Sequence, residues 1–174
     1  MTKDVMDAIR ERRSVRQFQA APIPEPTLGR ILEAAQWAPS AGNLQPVRFH
    51  VVYNNDLKES LKVASYNQAF IAQAPVVVVV TVLPGQSGNR YGERGTDLYC
   101  LQDSAAAIQN LMLAATGFGI GSCWVGAYND EAVTKVLELS DEERPVAIIP
   151  LGYPVNKVEA PPRYQLEKVV KIYS

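Results

Sequence analysis

A single domain of mixed helices and strands, spanning residues 1–174, is the architecture the sequence predicts, and three observations predict it. The chain has 174 residues, 47% hydrophobic and 20% charged, the balance of a globular domain, and no internal repeat or linker-like stretch divides it. The run Val76–Leu83 is apolar apart from Thr81. It is too short to span a bilayer and suits a strand covered on both faces. Leu98, Leu101, Ala105, Ile108, Leu111, Met112 and Ala115 recur at helical spacing between Thr96 and Thr116. The alanine-rich middle of this helix lets other backbones pack close, so it is expected to be the core helix.

The other elements follow in chain order. Val5, Met6 and Ile9 share one side of a first short helix, and Pro22, Pro24 and Pro26 impose an extended arm over Gln17–Pro26. Thr27 is expected to cap a second helix presenting Leu28, Ile31, Leu32 and Ala35, which stops before Pro39 because the residue preceding a proline disfavours helix. Val47–Tyr53, rich in β-branched and aromatic residues, reads as a strand closed by Asn54-Asn55-Asp56. A short helix around Leu57–Ala64 and a turn near Tyr66–Ala69 lead to the central strand, Pro75–Leu83. Pro84–Gly95 holds four glycines and reads as a loop long enough to act as a lid. Gly117-Phe-Gly-Ile-Gly121 then ends the core helix and leads into a third strand, Ser122–Val125. Asp130 caps a helix to Leu139, and Pro145–Leu151 supplies a fourth strand. The tail Leu166–Tyr173 has no obvious place in this chain's own core.

Charge and cysteine usage exclude several classes. With 17 basic and 18 acidic residues the net charge is −1, so no overall field holds the protein on nucleic acid or an anionic membrane, and any anionic partner must meet a local site. Met1–Arg16 has basic residues but no apolar stretch, so no secretory signal is expected there and the cytoplasm is the expected location. Cys100 and Cys123 stand 23 positions apart with no CxxC and a single histidine in the chain, which argues against a disulfide framework or a metal site.

The chemistry-bearing motifs are few. A dinucleotide fingerprint needs a strand before its glycines and a helix after them, and around Gly117–Gly121 the order is reversed. A P-loop, a serine nucleophile elbow and HExxH are all missing, and His50 in VRFHVV reads as a packed core histidine. That absence favours a cofactor carrying its own chemistry, which the protein binds, orients and tunes. Two segments concentrate polar groups. Arg12-Arg13-Ser14-Val15-Arg16 offers three guanidinium groups and a hydroxyl within five residues; read blandly it is a solvated basic face, but arginine forks also match phosphate geometry. Ala38-Pro39-Ser40-Ala41-Gly42-Asn43-Leu44-Gln45-Pro46 is a helix-to-strand loop with small polar and amide residues; it is either plain turn chemistry or an edge for a flat heterocycle.

RRSVRQF, APSAGNLQPVRF, YNQAFIAQAPVVVVV, DSAAAIQNLMLAATGFGIGSCWVG and APPRYQLEKVV, in this order, resemble the FMN-dependent nitroreductase family over nearly the whole chain. Val47 departs from the tryptophan that relatives often carry after the QP pair, which alters the pocket lining. The resemblance implies an α+β fold, a mainly antiparallel sheet flanked by helices around the core helix, with the sheet edge completed by the partner's C-terminal tail. It implies a homodimer with FMN at two interface sites. Arg12, Ser14 and Arg163 would hold the phosphate, Arg13 would belong to the same cluster, and Arg16 would face the flavin pyrimidine and ribityl edge. Gln68 would bind that region, Pro39, Ser40, Ala41 and Asn43 would reach the flavin from the partner subunit, and Gly126 would offer backbone near N5. The implied activity is reduction of nitroaromatics, quinones or related small-molecule acceptors by NADH or NADPH, in ping-pong fashion through flavin N5, with no catalytic side chain. A flavin-binding sensor or carrier without turnover, and a specialised reaction such as flavin breakdown, reductive dehalogenation or dehydrogenation, are the alternatives.

Overall fold

The computed structural model describes residues 3–173. Four strands, β1 (Val47–Val52), β2 (Val76–Val82), β3 (Gly121–Ser122) and β4 (Arg144–Gly152), form one antiparallel sheet in the order β1-β2-β4-β3. Among the described residues seven α-helices flank it: α1 (Val5–Glu11), α2 (Glu25–Gln36), α3 (Asn55–Ala64), α4 (Phe70–Gln73), α5 (Pro84–Tyr91), α6 (Cys100–Gly117) and α7 (Asp130–Leu137). The architecture is α+β, as the resemblance implied.

Strand β2 explains the layering. Side chains alternate across a strand, so a run with no polar face must be covered twice. Val76, Val78 and Val80 pack with Ile108, Leu111, Met112 and Ala115 of α6 and Leu28, Ile31 and Ala35 of α2. Val77 and Val79 face Leu61 and Ala64 of α3, Ile71 of α4 and Val133 of α7. All seven β2 residues are buried. Each fully buried valine or isoleucine contributes roughly 1.5–3 kcal/mol from removal of apolar surface from water. The register slips between Val80 and Thr81 against β4.

Several expectations need correction. Helix α2 starts at Glu25 with Pro24 as its cap, two residues before Thr27, because a proline in the first turn gives up only an N–H that has no helical partner there. Asn129, not Asp130, caps α7, its side chain accepting the Ala132 N–H at 2.8 Å, and the helix ends at Leu137 with Glu138 left-handed. The third strand is shorter than expected: β3 covers Gly121–Ser122, and Val125 makes only an isolated bridge to Ile148. Pro84–Gly95 is not a loop, since Pro84–Tyr91 is helix α5 and Gly95–Tyr99 a π-helical turn that runs into α6. On α1 the buried residue is Ala8, while Val5, Met6 and Ile9 are exposed. His50 is only half-buried and paired, its Nε2 lying 2.8 Å from Glu143 Oε2 and 3.2 Å from Thr81 Oγ1.

The extended arm is pinned along the sheet's far edge. Val15 N–H donates to Ser122 at 2.9 Å, Gln19 N–H to Tyr153 at 2.8 Å, and Val155 N–H to Gln17 at 3.1 Å. These bonds fix where the Arg12–Arg16 segment runs. No helix among the described residues is long and apolar enough to cross a membrane.

Candidate functional site

Helix α1 is capped by Asp4, whose carboxylate accepts the Met6 and Asp7 N–H groups at 2.8 and 2.9 Å, and ends one residue before Arg12. Arg13 closes it, with Nη1 donating to the Arg10 and Arg12 carbonyls at 2.6 and 2.7 Å. From there the chain is extended, and residues alternate sides. Val15 turns inward and is buried; a Cβ on Gly121 would lie 2.7 Å from its Cγ2, so only glycine lets the arm lie this close to β3. Arg12, Ser14 and Arg16 take the other side.

These three meet Arg163, which arrives from the far end of the chain and donates from Nη1 to the Pro161 and Pro162 carbonyls at 3.2 Å each. Together with Arg13 they line a pocket of about 360 Å³, whose lining holds four arginines and one acidic residue, Glu159. Phe70 lies under Arg16, ring centroid to guanidinium 5.8 Å. Cys123 is buried nearby; burial pushes its thiol up despite the Arg16 and Arg12 charges and the Ser14 hydroxyl. It therefore stays a neutral thiol at neutral pH and does not offset the guanidinium charges. Paired guanidinium forks and a hydroxyl are the donor set of a phosphate site.

The second polar segment, between α2 and β1, is held from several sides. Ala41 N–H donates to Asp103 Oδ1 of α6 at 3.0 Å, Gln45 N–H donates to Ser40 Oγ at 2.9 Å, and Gln86 Nε2 of α5 donates to the Leu44 carbonyl. Gly42, Asn43 and Gln45 have φ of 58°, 56° and 53°. A Cβ on Gly42 would fall 2.5 Å from the Tyr91 hydroxyl and 2.9 Å from Arg90 Nη1. Pro39 and Ser40 line a cavity of about 590 Å³ with Gln45, Arg48, Phe49 and Asp103.

The structure therefore brings Arg12, Arg13, Ser14, Arg16 and Arg163 into one pocket, and Pro39 and Ser40 into a separate cavity that shares no lining residue with it. Ala41 and Asn43 lie on the rim segment of the second cavity, in a 3₁₀ turn over Ala41–Asn43. Gln68 lines neither; its Nε2 is spent on the Ser65 and Ala127 carbonyls, both at 3.0 Å. Gly126 is exposed in the chain leaving Val125. Sequence reading missed Asp103, although a signal exists: it sits on the stripe Cys100, Asp103, Ala107, Leu111 that α6 buries, where a carboxylate is out of place.

Comparison with known proteins agrees with this architecture. The nitroreductase family model matches residues 9–68 and 62–153. A Thermus thermophilus protein named NADH dehydrogenase is 31% identical over 194 residues, covering 96% of this chain and 95% of that protein. A Bacillus subtilis FMN reductase [NAD(P)H] is 26% identical, over 95% of this chain and 72% of its own length. The crystal structure of nitroreductase A from Vibrio parahaemolyticus superposes with a TM-score of 0.90 at 25% identity, covering 100% of this chain and 77% of that one. The chain belongs to the nitroreductase family.

Proposed function

We propose that residues 1–174 act as one FMN-binding unit of a homodimeric NAD(P)H oxidoreductase that reduces nitroaromatics, quinones or related small-molecule acceptors. The observation that carries this reading is the basic pocket in which the two ends of the chain converge, Arg12, Ser14 and Arg16 from one and Arg163 from the other. Its donor set fits a terminal phosphate, and no glycine-rich strand-to-helix turn is present among the described residues for a second nucleotide. When bound, FMN supplies two-electron chemistry between a reduced nicotinamide and an acceptor, each taking the same place in turn.

This chain's residues then have separable tasks. Arg12, Ser14 and Arg163 bind the phosphate; Arg13 supports them from the end of α1. Arg16 sets a fixed cation at the pyrimidine and ribityl edge, where a charge already oriented costs no reorganisation when negative charge gathers. Because the Gln68 amide nitrogen is engaged internally, Gln68 offers its carbonyl oxygen, which suits a ring N–H. Gly126 offers backbone to the flavin. Pro39 and Ser40 line a cavity of their own, with Ala41 and Asn43 on the same loop, which favours all four serving the flavin of the partner subunit.

The test is direct. The purified protein is expected to be yellow and to release FMN on denaturation, and NADH or NADPH titration should bleach it, with steady turnover on adding a quinone. Release of FAD would remove the phosphate assignment. Bleaching without turnover would instead favour a sensor or carrier.

A further inference from the structure

The segment Ala41–Gln45 is an unusual piece of backbone to expose. Three of its residues are left-handed, and two of these, Asn43 and Gln45, are not glycine. Such residues persist only where surrounding contacts over-determine them. The contact at its start is Asp103, 7% exposed, whose Oδ1 takes the Ala41 N–H at 3.0 Å. The other carboxyl oxygen, Oδ2, is buried with no hydrogen-bond partner among the described residues. A buried carboxyl with an empty oxygen is costly, and serine or alanine would fit an α-helix better. What Asp103 supplies in return is one long-reaching acceptor, fixed on the rigid core helix, for the first amide of a strained loop. Gln86 holds the same loop at Leu44 from the α5 side, so the loop lies between two helices.

We propose that Asp103 is a positioning residue for the flavin site, holding Ala41–Gln45 in the left-handed path that presents Ser40, Ala41 and Asn43 to the cofactor. The proposal rests on the reading that this loop meets FMN. It requires the acceptor oxygen and not the charge. Asp103→Asn, with the same acceptor atom in the same place, therefore keeps the loop, whereas Asp103→Ala releases it.

The experiment has two readouts on wild type, Asp103→Ala and Asp103→Asn. Titration of flavin-stripped protein with FMN should give a dissociation constant about tenfold or more weaker for Asp103→Ala and within about threefold of wild type for Asp103→Asn. Amide hydrogen exchange on the flavin-free proteins should show Ala41 protected in wild type and in Asp103→Asn, and freely exchanging in Asp103→Ala, with β2 and α6 protection unchanged. Equal FMN affinity in all three proteins overturns the proposal. So does equal weakening by both substitutions. An Ala41 amide that exchanges freely in the wild type also overturns it, even if Asp103→Ala fails to fold. If the wild type binds no FMN at all, the functional reading has failed, while the exchange data still decide whether Asp103 holds the loop.

Discussion

Arg13 and Arg16 carry the same charge three residues apart, yet the backbone sends them to different tasks. Arg13 spends its Nη1 on the last carbonyls of α1, while Arg16 is exposed beside the pocket with its guanidinium over Phe70. Arg16→Ala is therefore expected to weaken FMN binding by about tenfold to a hundredfold, the worth of one charge-assisted contact, and to slow flavin reduction by NAD(P)H. Arg13→Ala should cost about 1 kcal/mol of stability through the lost helix cap and change FMN affinity less. Flavin titration and thermal melts of the two variants separate these effects; equal small changes in both would mean the cluster is only a solvated face. A second polar group gives a pH dependence. Burial raises the Glu143 carboxyl, but the Thr81 hydroxyl at 2.7 Å, the His50 ring and the His50 and Arg48 charges outweigh it and hold it below its ordinary value. A carboxyl with a depressed pKa in the folded state contributes stability above its unfolded pKa and loses it as pH falls through the folded one. The thermal midpoint should therefore fall as pH is lowered below about 4.5, and Glu143→Gln should flatten that acid limb while lowering the midpoint at pH 7.

At the scale of elements, glycine was the hardest residue to read. The four glycines of Pro84–Gly95 suggest a flexible loop, but two of them serve close packing. A Cβ on Gly95 would fall 2.3 Å from the Ser87 carbonyl oxygen, and one on Gly88 2.6 Å from Thr96 Cγ2, so the α5 turn and the π-helical turn pack directly on each other. Composition cannot separate a glycine kept for freedom from one kept for contact; that depends on a neighbour distant in sequence. Gly42 combines both demands, with φ of 58° and no room beside Tyr91 and Arg90. Gly42→Ala should cost about 1–2 kcal/mol for the left-handed backbone, displace the loop, and lower FMN affinity along with the melting temperature. Elements with a strong periodic signal were legible. β2 and α6 are found where a run of valines broken only by Thr81 and a repeating stripe place them, because burial on both faces leaves no other arrangement. The basic pocket was legible only in part: Arg12-Arg13-Ser14-Val15-Arg16 is conspicuous alone, whereas Arg163 joined it only through the family resemblance, since it stands 147 positions along the chain from Arg16. Asp103 was hidden because a carboxylate on a helix reads as solvated unless its place on the buried stripe is noticed.

For the whole molecule, the apolar surface left uncovered points to a second copy of the chain. Val5, Met6 and Ile9 are exposed along α1, Trp37 is 79% exposed at the end of α2, and in the tail Leu166, Val169 and Val170 are exposed with Ile172 at 85% and Tyr173 at 82%. Large exposed apolar patches mark interaction surfaces, and this chain's own core offers the tail no site. Among the described residues β1 has no neighbour on one side, leaving a row of backbone donors and acceptors at the sheet's edge. The tail of a partner would answer both needs. Obligate interfaces of this kind commonly bury roughly 2,000 Å² or more, so a folded monomer should be scarce and the melting temperature should rise with protein concentration. Deleting residues 166–174 should reduce dimer stability and FMN content together. Arg163 is retained in that truncation, so loss of flavin would follow from loss of the interface rather than of a phosphate ligand. Sedimentation of the full-length protein as a well-folded monomer that still holds FMN tightly would rule out the shared site, and the loop at Ser40–Asn43 would then have to serve its own chain.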